Sequence, residues 1–171
     1  MKTLVDPRNA LSQGLVALRA RFKVPEGFPP EVVAAAQAAA QRAPSDHVDR
    51  TERPFVTLDP ASSTDLDQAF AIEASGADLL LHYAIADVSW FVRDGDLLDV
   101  EAWKRGATLD LPDGKASLYP RELSEGAASL LPSGPRPAVV FTVRVDPDGE
   151  ASLDGAERAI IRSVAKLGYE R

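Results

Sequence analysis

The sequence predicts an α+β protein: a mixed, largely antiparallel sheet with packed helices, preceded by a small helical segment. Three observations carry this reading. Two helical patterns fill the first fifty residues. Beyond them the texture changes to short apolar runs bounded by turn residues. A length of 171 residues with 45% hydrophobic and 26% charged residues is enough for one domain with a real core and a small appendage.

In the first helical pattern Leu11, Leu15, Leu18 and Phe22 follow one another at spacings of four, three and four, which places them on one helix face. A breaker-rich connection over residues 23–30 follows, and Pro30 stands where a first helical residue tolerates proline. The alanine-rich stretch to about Arg42 is a weakly amphipathic helix, ended by Ala43-Pro-Ser-Asp46. The best division of the chain is 1–49 and 50–171. In the second part Phe55-Val-Thr-Leu58 is a strand running into Asp59-Pro60. Residues 67–73 and 79–86 are two strands joined at Ser75-Gly-Ala-Asp78. The second, LLLHYAIA, is almost continuously apolar and is expected to be central and covered on both faces. A helix is expected over residues 97–105, a strand over 137–145, a turn at Asp146-Pro-Asp-Gly149 and a last strand around 159–162.

Composition narrows function. No apolar run approaches the roughly 18 residues that span a bilayer, and the first ten residues lack the apolar core of a signal peptide. With no cysteine there is no disulfide, thiolate metal site or cysteine nucleophile, and a cytoplasmic location is the default expectation. The net charge of −7 is uneven: residues 1–50 carry seven Lys/Arg against five Asp/Glu, leaving −9 for the remainder. An acidic chain argues against tight autonomous binding to a phosphate backbone. It does not exclude an enzyme that meets phosphate through divalent cations, which reverse the sign of a carboxylate cluster.

The informative stretch is Thr57-Leu-Asp59-Pro-Ala-Ser-Ser-Thr-Asp65-Leu-Asp67-Gln68-Ala. In extended chain the side chains of residues i and i+2 point the same way, so Asp65 and Asp67 can converge, and a loop return lets Asp59 join them. Three such carboxylates repel one another unless a hard cation neutralises them, and Mg²⁺ favours oxygen ligands of this kind. Two-metal phosphodiester hydrolysis uses the same arrangement. By spacing alone a solvated Asp-rich loop is the commoner outcome. An EF-hand is disfavoured, because the turn glycine and the closing glutamate are both missing.

The same stretch resembles the opening signature of the ribonuclease II family, whose catalytic domain is the RNB domain: a strand ending in Asp, five residues, then Asp-x-Asp-Asp and a small residue. The resemblance continues in order through Ala84-Ile-Ala-Asp87-Val-Ser, Arg105-Gly-Ala-Thr-Leu-Asp-Leu-Pro112, Tyr119-Pro-Arg-Glu-Leu-Ser-Glu-Gly126, Ser129-Leu-Leu-Pro132 and the stretch from Ile161-Arg-Ser to Leu167-Gly-Tyr-Glu170. It covers about residues 50–171, the N-terminal portion of an RNB domain.

The resemblance implies a processive Mg²⁺-dependent 3′→5′ exoribonuclease, with Mn²⁺ as a substitute metal, that releases nucleoside 5′-monophosphates from single-stranded RNA without a covalent protein intermediate. It implies no membrane partner and no small-molecule cofactor beyond the metal, and specifies no oligomeric state. Asp59, Asp65 and Asp67 match three of the family's four acidic residues, Asp67 standing in the place most critical for chemistry. Gln68 stands at the fourth; its amide oxygen can still ligate Mg²⁺, without the negative charge. Asp110 stands where family members carry an aromatic that stacks on the RNA 3′ end, and Arg121 and Lys115 are weaker candidates for touching phosphate. The family's catalytic domain continues well past residue 171 and adds an arginine and much of the basic RNA channel, so a fragment with little activity alone is expected.

Two rival readings are a catalytically silent RNB-like RNA-binding or regulatory module, kept open by Gln68 and Asp110, and a different Mg²⁺-dependent phosphohydrolase using the same loop. His82 is expected to be structural, Tyr83, Trp90 and Trp103 to pack, and Asp87 to support the carboxylates or cap a helix. Because a carboxylate cannot supply the roughly 1–3 kcal/mol that an aromatic gives by base stacking, Asp110 is expected to change the grip on short products. Digestion of an end-labelled oligonucleotide should then stop at a length different from the family's usual one.

Overall fold

A computed structural model describes residues 9–169; residues 1–8, Glu170 and Arg171, which the sequence reading had assigned to the helical segment and to the end of the family stretch, lie outside the described residues. Helices α1 (Ala10–Arg21) and α2 (Pro30–Ala40) form where the sequence places them, with Pro30 in the first turn of α2. Their packing reverses the expectation. The apolar face of α1 stays unburied, with Leu11 47% and Phe22 64% exposed, and Arg19 pairs with Asp113 at 2.9 Å. The weakly amphipathic α2 docks instead. Val32, Ala36 and Ala39, at i, i+4 and i+7, share a core with Phe91, Leu98, Leu123 and Ala128. Small side chains let a helix approach closely, so shape does here what a strong apolar stripe would otherwise do.

The strands are β1 (Val48–Asp49), β2 (Phe55–Leu58), β3 (Gln68–Ser75), β4 (Asp78–Ala86), β5 (Leu109–Leu111), β6 (Gly114–Ala116), β7 (Arg136–Val145), β8 (Ala151–Ile161) and β9 (Ser163–Leu167). Seven of them form one sheet in the order β1-β8-β7-β4-β3-β2-β9, antiparallel except at β1–β8 and β2–β9. Only Arg162 separates β8 from β9. One bent segment therefore pairs with β7 through its first part and with β2 through its second, and the sheet curls closed on itself. Gly76, at φ 66°, makes the two-residue turn between β3 and β4. Between the strands lie α3 (Val88–Phe91) and α4 (Leu97–Arg105). Asp96 caps α4 by accepting from the backbone amides of Leu98 and Asp99 at 2.9 Å, and Gly106 ends it at φ 76°. No helix among the described residues is long and apolar enough to cross a membrane.

Closure governs composition. A narrow barrel has room inside only for small side chains or a few large ones, and the interior is Ala69, Ala71, Ala84, Ala86, Ala138, Val140 and Ala159, with Phe55, Leu66, Leu130 and Ile161 as plugs. β4 is central, as its sequence suggests, but only one of its faces is buried: Leu79 and Ile85 on the other are 50% and 40% exposed. β8 begins eight residues earlier than expected, because its exposed first half (Ala151, Ser152, Leu153, Asp154, Gly155) has no apolar alternation.

The helical segment is tied to the barrel by a buried ionic cluster. Asp87 pairs with His47 Nε2 at 2.9 Å and with Arg158 Nε at 3.0 Å, and accepts from Ser89 Oγ at 2.6 Å. His47 sits edge-on to Trp90, whose indole N–H donates to the Arg42 carbonyl. Filling the barrel should be costly: Ala84→Leu, at a site with no exposure, is expected to lose about 1–3 kcal/mol. Ile85→Ala on the outer face should change stability by less than about 1 kcal/mol. Urea unfolding of the two variants checks both.

Candidate functional site

The end of β2, the start of β3 and the end of β4 lie together at one end of the barrel. Asp59 leaves β2 with its amide bonded to the Leu167 carbonyl at 3.1 Å. The loop that follows is held by Lys166, whose ammonium donates to the carbonyls of Ala61 and Ser63. Between Asp65 and Asp67, Leu66 is fully buried as one of the barrel plugs. Its amide donates to Ser129 Oγ at 2.8 Å, that hydroxyl donates to the Thr64 carbonyl at 2.8 Å, and the Leu66 carbonyl accepts from the Leu130 amide at 2.8 Å. The Asp67 carbonyl accepts from the Ala86 amide at 2.9 Å. With Leu66 turned inward, the alternation of extended chain turns its two aspartate neighbours outward.

Electrostatics marks the three carboxylates as one group. Asp67 is pushed above the usual carboxylate range, first by burial and then by the negative charges of Asp65 and Asp59, with Lys115 pulling the other way. Asp65 moves in the opposite direction: burial pushes it up, but hydrogen bonds from Lys115 and from the amides of Asp65 and Thr64 outweigh that and hold it low. The Lys115 ammonium lies 2.8 Å from Asp65 Oδ2 and 3.7 Å from Glu125 Oε1. Beside Asp65 and Asp67 opens a pocket of about 310 Å³, walled by Ile85, Val88, Leu118, Tyr119 and Leu123.

As donors, three mutually repelling carboxylates suit a hard divalent cation. Among the described residues, however, no three acidic or histidine side chains are gathered at ligating distance around one point. Asp65 is turned to Lys115 instead. The fit to Mg²⁺ is one of charge and donor chemistry.

The remaining candidates fall as follows. The Gln68 side-chain oxygen accepts a short hydrogen bond from the Tyr83 hydroxyl. Asp110 lies on β5, directly across from Lys115 on β6. Arg121 is 81% exposed at its side chain and pairs with Glu125 at 3.0 Å. Asp87 caps nothing with its side chain, because its carboxylate is taken by His47, Ser89 and Arg158. His82 is buried, with Nδ1 3.1 Å from Thr142 Oγ1; Nε2 lies 3.1 Å from Glu73, close enough for an ion pair but misaligned as a hydrogen bond. Trp103, expected to pack, is 81% exposed, since α4 turns Leu98 and Ala102 to the core instead. Trp90 does pack.

Sequence reasoning missed Ser129 as the staple of the Asp65–Asp67 segment, and it missed Arg105. That side chain, only 4% exposed, pairs with Glu101 and stacks 3.6 Å over the Phe28 ring. It donates to the carbonyls of Ser117 and Gly27. It also missed the β5–β6 hairpin, although Leu111-Pro-Asp-Gly114 carries the turn signal.

Residues 47–171 match the model of the RNB domain. The chain belongs to the RNB family. It is 32% identical over 154 residues to "Ribonuclease R" of Aquifex aeolicus, covering 87% of this chain and 22% of that protein. It is 36% identical over 142 residues to "Exoribonuclease 2" of Yersinia pestis, covering 82% of this chain and 22% of that one. The solved structure of Mycoplasma genitalium RNase R in complex with double-stranded RNA superimposes with a TM-score of 0.83 at 25% identity, over 99% of this chain and 31% of the other. This RNB chain thus spans about a fifth of the length of the curated relatives it matches.

The raised Asp67 gives a sign to pH dependence. A carboxyl that binds its proton more tightly folded than unfolded costs stability as pH climbs from the ordinary carboxylate range through the folded value. Without metal, Asp67→Asn should therefore melt above the wild type at neutral pH. The gap should close as pH falls below the ordinary carboxylate range, where both forms are neutral. Melting curves across pH check the crossover.

Proposed function

We propose that the protein containing this RNB chain is a Mg²⁺-dependent 3′→5′ exoribonuclease that hydrolyses single-stranded RNA to nucleoside 5′-monophosphates in the cytoplasm, with Mn²⁺ able to stand in. The observation that carries the reading is the charge convergence on Asp67 from Asp65 and Asp59, at the barrel end beside an apolar pocket, in a chain whose relatives are named ribonuclease R and exoribonuclease 2. The Mycoplasma genitalium relative has been solved with both double-stranded and ribose-methylated single-stranded RNA, which supports RNA as the substrate class.

In this reading Asp59, Asp65 and Asp67 hold the metal, which supplies charge stabilisation for the attacking and leaving oxygens of phosphodiester hydrolysis. Leu66 and Ser129 keep Asp65 and Asp67 on one side of the chain, which fixes the backbone from which the donors would reach the metal. The pocket walls of Leu118, Tyr119 and Leu123 exclude water from one flank of the carboxylates and offer apolar surface to a nucleotide. Arg121 is free enough of the fold to meet phosphate. Chemistry is assigned to the full-length protein, and this chain alone is expected to be weak or inactive.

Two observations favour a second reading, a catalytically silent RNB-like RNA-binding or regulatory module. The Gln68 oxygen is engaged by Tyr83, and Asp110 brings no ring to stack on RNA. The two readings separate when full-length protein meets 3′-tailed single-stranded RNA with and without Mg²⁺, beside Asp67→Asn. Metal-dependent mononucleotide release, lost by about 100-fold or more in the variant, supports the enzyme. Retention of RNA with no release supports the silent module, and equal release from both proteins refutes the assignment of Asp67.

A further inference from the structure

We propose that Lys115 is a built-in counter-ion of the carboxylate site: it holds Asp65 until a divalent cation takes its place, then transfers to Asp110 and Glu125. The inference rests on the reading of Asp59, Asp65 and Asp67 as metal ligands, and adds how that site is kept in its metal-free state.

The placement of Lys115 is built from three sides. At the base of its hairpin, Arg105 donates to the Ser117 carbonyl and the Leu118 amide donates to Thr108 Oγ1. At the tip, Asp113 is held by two hydrogen bonds from Arg19 of α1, at 2.9 and 3.3 Å. Between these anchors β5 and β6 pair residue for residue. The backbone of Lys115 is thereby fixed beside the carboxylates, while its four-carbon stem leaves the ammonium free to swing.

Three carboxylates surround that ammonium. Asp65 is nearest at 2.8 Å and Glu125 follows at 3.7 Å. Asp110 is its direct cross-strand partner, and side chains so placed share a face of the hairpin. All three attract Lys115. The geometry gives the ammonium one partner inside the proposed metal site and two outside it. The Asp65 oxygen that accepts from Lys115 at hydrogen-bond distance cannot at once serve a cation placed where the ammonium sits, so in the proposal ammonium and cation compete for Oδ2. At Asp67, Lys115 offsets the negative charges of Asp65 and Asp59. The displaced ammonium does not go to bulk water, because Asp110 and Glu125 receive it, and that lowers the cost of the exchange. In this chain Asp110 acts on metal entry through Lys115.

Calorimetric titration of the full 171-residue chain with Mn²⁺ tests this. Lys115→Gln and Lys115→Met, both on a surface hairpin, should bind Mn²⁺ about two- to fivefold more tightly than the wild type, the size expected when a partly exposed ion pair no longer competes. Asp110→Asn should weaken binding by about twofold in the wild type, with a smaller change in the Lys115→Gln background, because the two residues act on one exchange. Arg121→Gln removes an equal charge that pairs with Glu125 and not with Asp65, and should change the affinity less than Lys115→Gln does. Unchanged or weaker binding in both Lys115 variants overturns the inference, as does an Arg121→Gln effect equal to theirs, which would mean only a diffuse field. If neither the wild type nor the Lys115 variants take up Mn²⁺, it is the metal-site reading itself that fails, and the inference falls with it.

Discussion

Closing a short sheet into a barrel fixes how much volume each inward side chain can occupy. Here the ring runs through β2, β3, β4, β7 and the continuous β8–β9 segment. Alanines line the walls, and a few large residues enter from the ends and from between strands. Leu66 is the consequential one. Because it must plug the barrel, the chain on either side of it is pinned, by Ser129 and Leu130 on one flank and by Ala86 on the other. The outward direction of Asp65 and Asp67 is a by-product of that burial. The hydrophobic effect positions two charged groups that would separate if left to their own electrostatics.

That arrangement stores repulsion. Asp67 is raised because the fold holds it partly out of water next to two like charges. Ordinary surface aspartates avoid such neighbours, and their recurrence at one barrel end is what makes this place a functional-site candidate. The cluster is not left bare: Lys115 pairs with Asp65 and pulls against the repulsion at Asp67. If the site accepts a cation as proposed, a weak resident one suits it, since a fully unscreened trio would disfavour the fold and a tight buried pair would exclude the metal.

Much of this was legible in the sequence where the determining interactions are local. The Asp59, Asp65, Asp67 spacing, the β3–β4 turn at Gly76 and helix α4 with its Asp96 cap each depend on residues within a few positions of one another. What was not legible depends on distant partners. Lys115 and Asp65 are 50 residues apart, and the Ser129 to Leu66 bond spans 63. The apolar stripe of α1 reads as a buried face, yet nothing in the described chain covers it; α2, with a weaker stripe, is the helix that docks. Periodicity reports that a face could be buried, not which surface is available to bury it. The early half of β8 escaped for the converse reason: its pairing to β7 is backbone hydrogen bonding at an exposed edge, which leaves no mark on side-chain pattern.

Gln68 shows how far a single substitution can reach in such a site. An aspartate at that position would add a fourth negative charge next to Asp67 and compete for the same neutralising partners. Gln68 adds none, and its amide oxygen is satisfied by Tyr83 across the β3–β4 pair. The lost charge weakens the pull on a divalent cation, but it also lowers the repulsion that the metal-free fold must bear. Asp110 shifts the balance the other way, by placing a carboxylate where it can draw Lys115 off Asp65. The two departures from the family pattern are therefore of opposite sense at one electrostatic site. Charge withdrawn at position 68 is matched by a carboxylate at position 110, directly across the β5–β6 pair from Lys115.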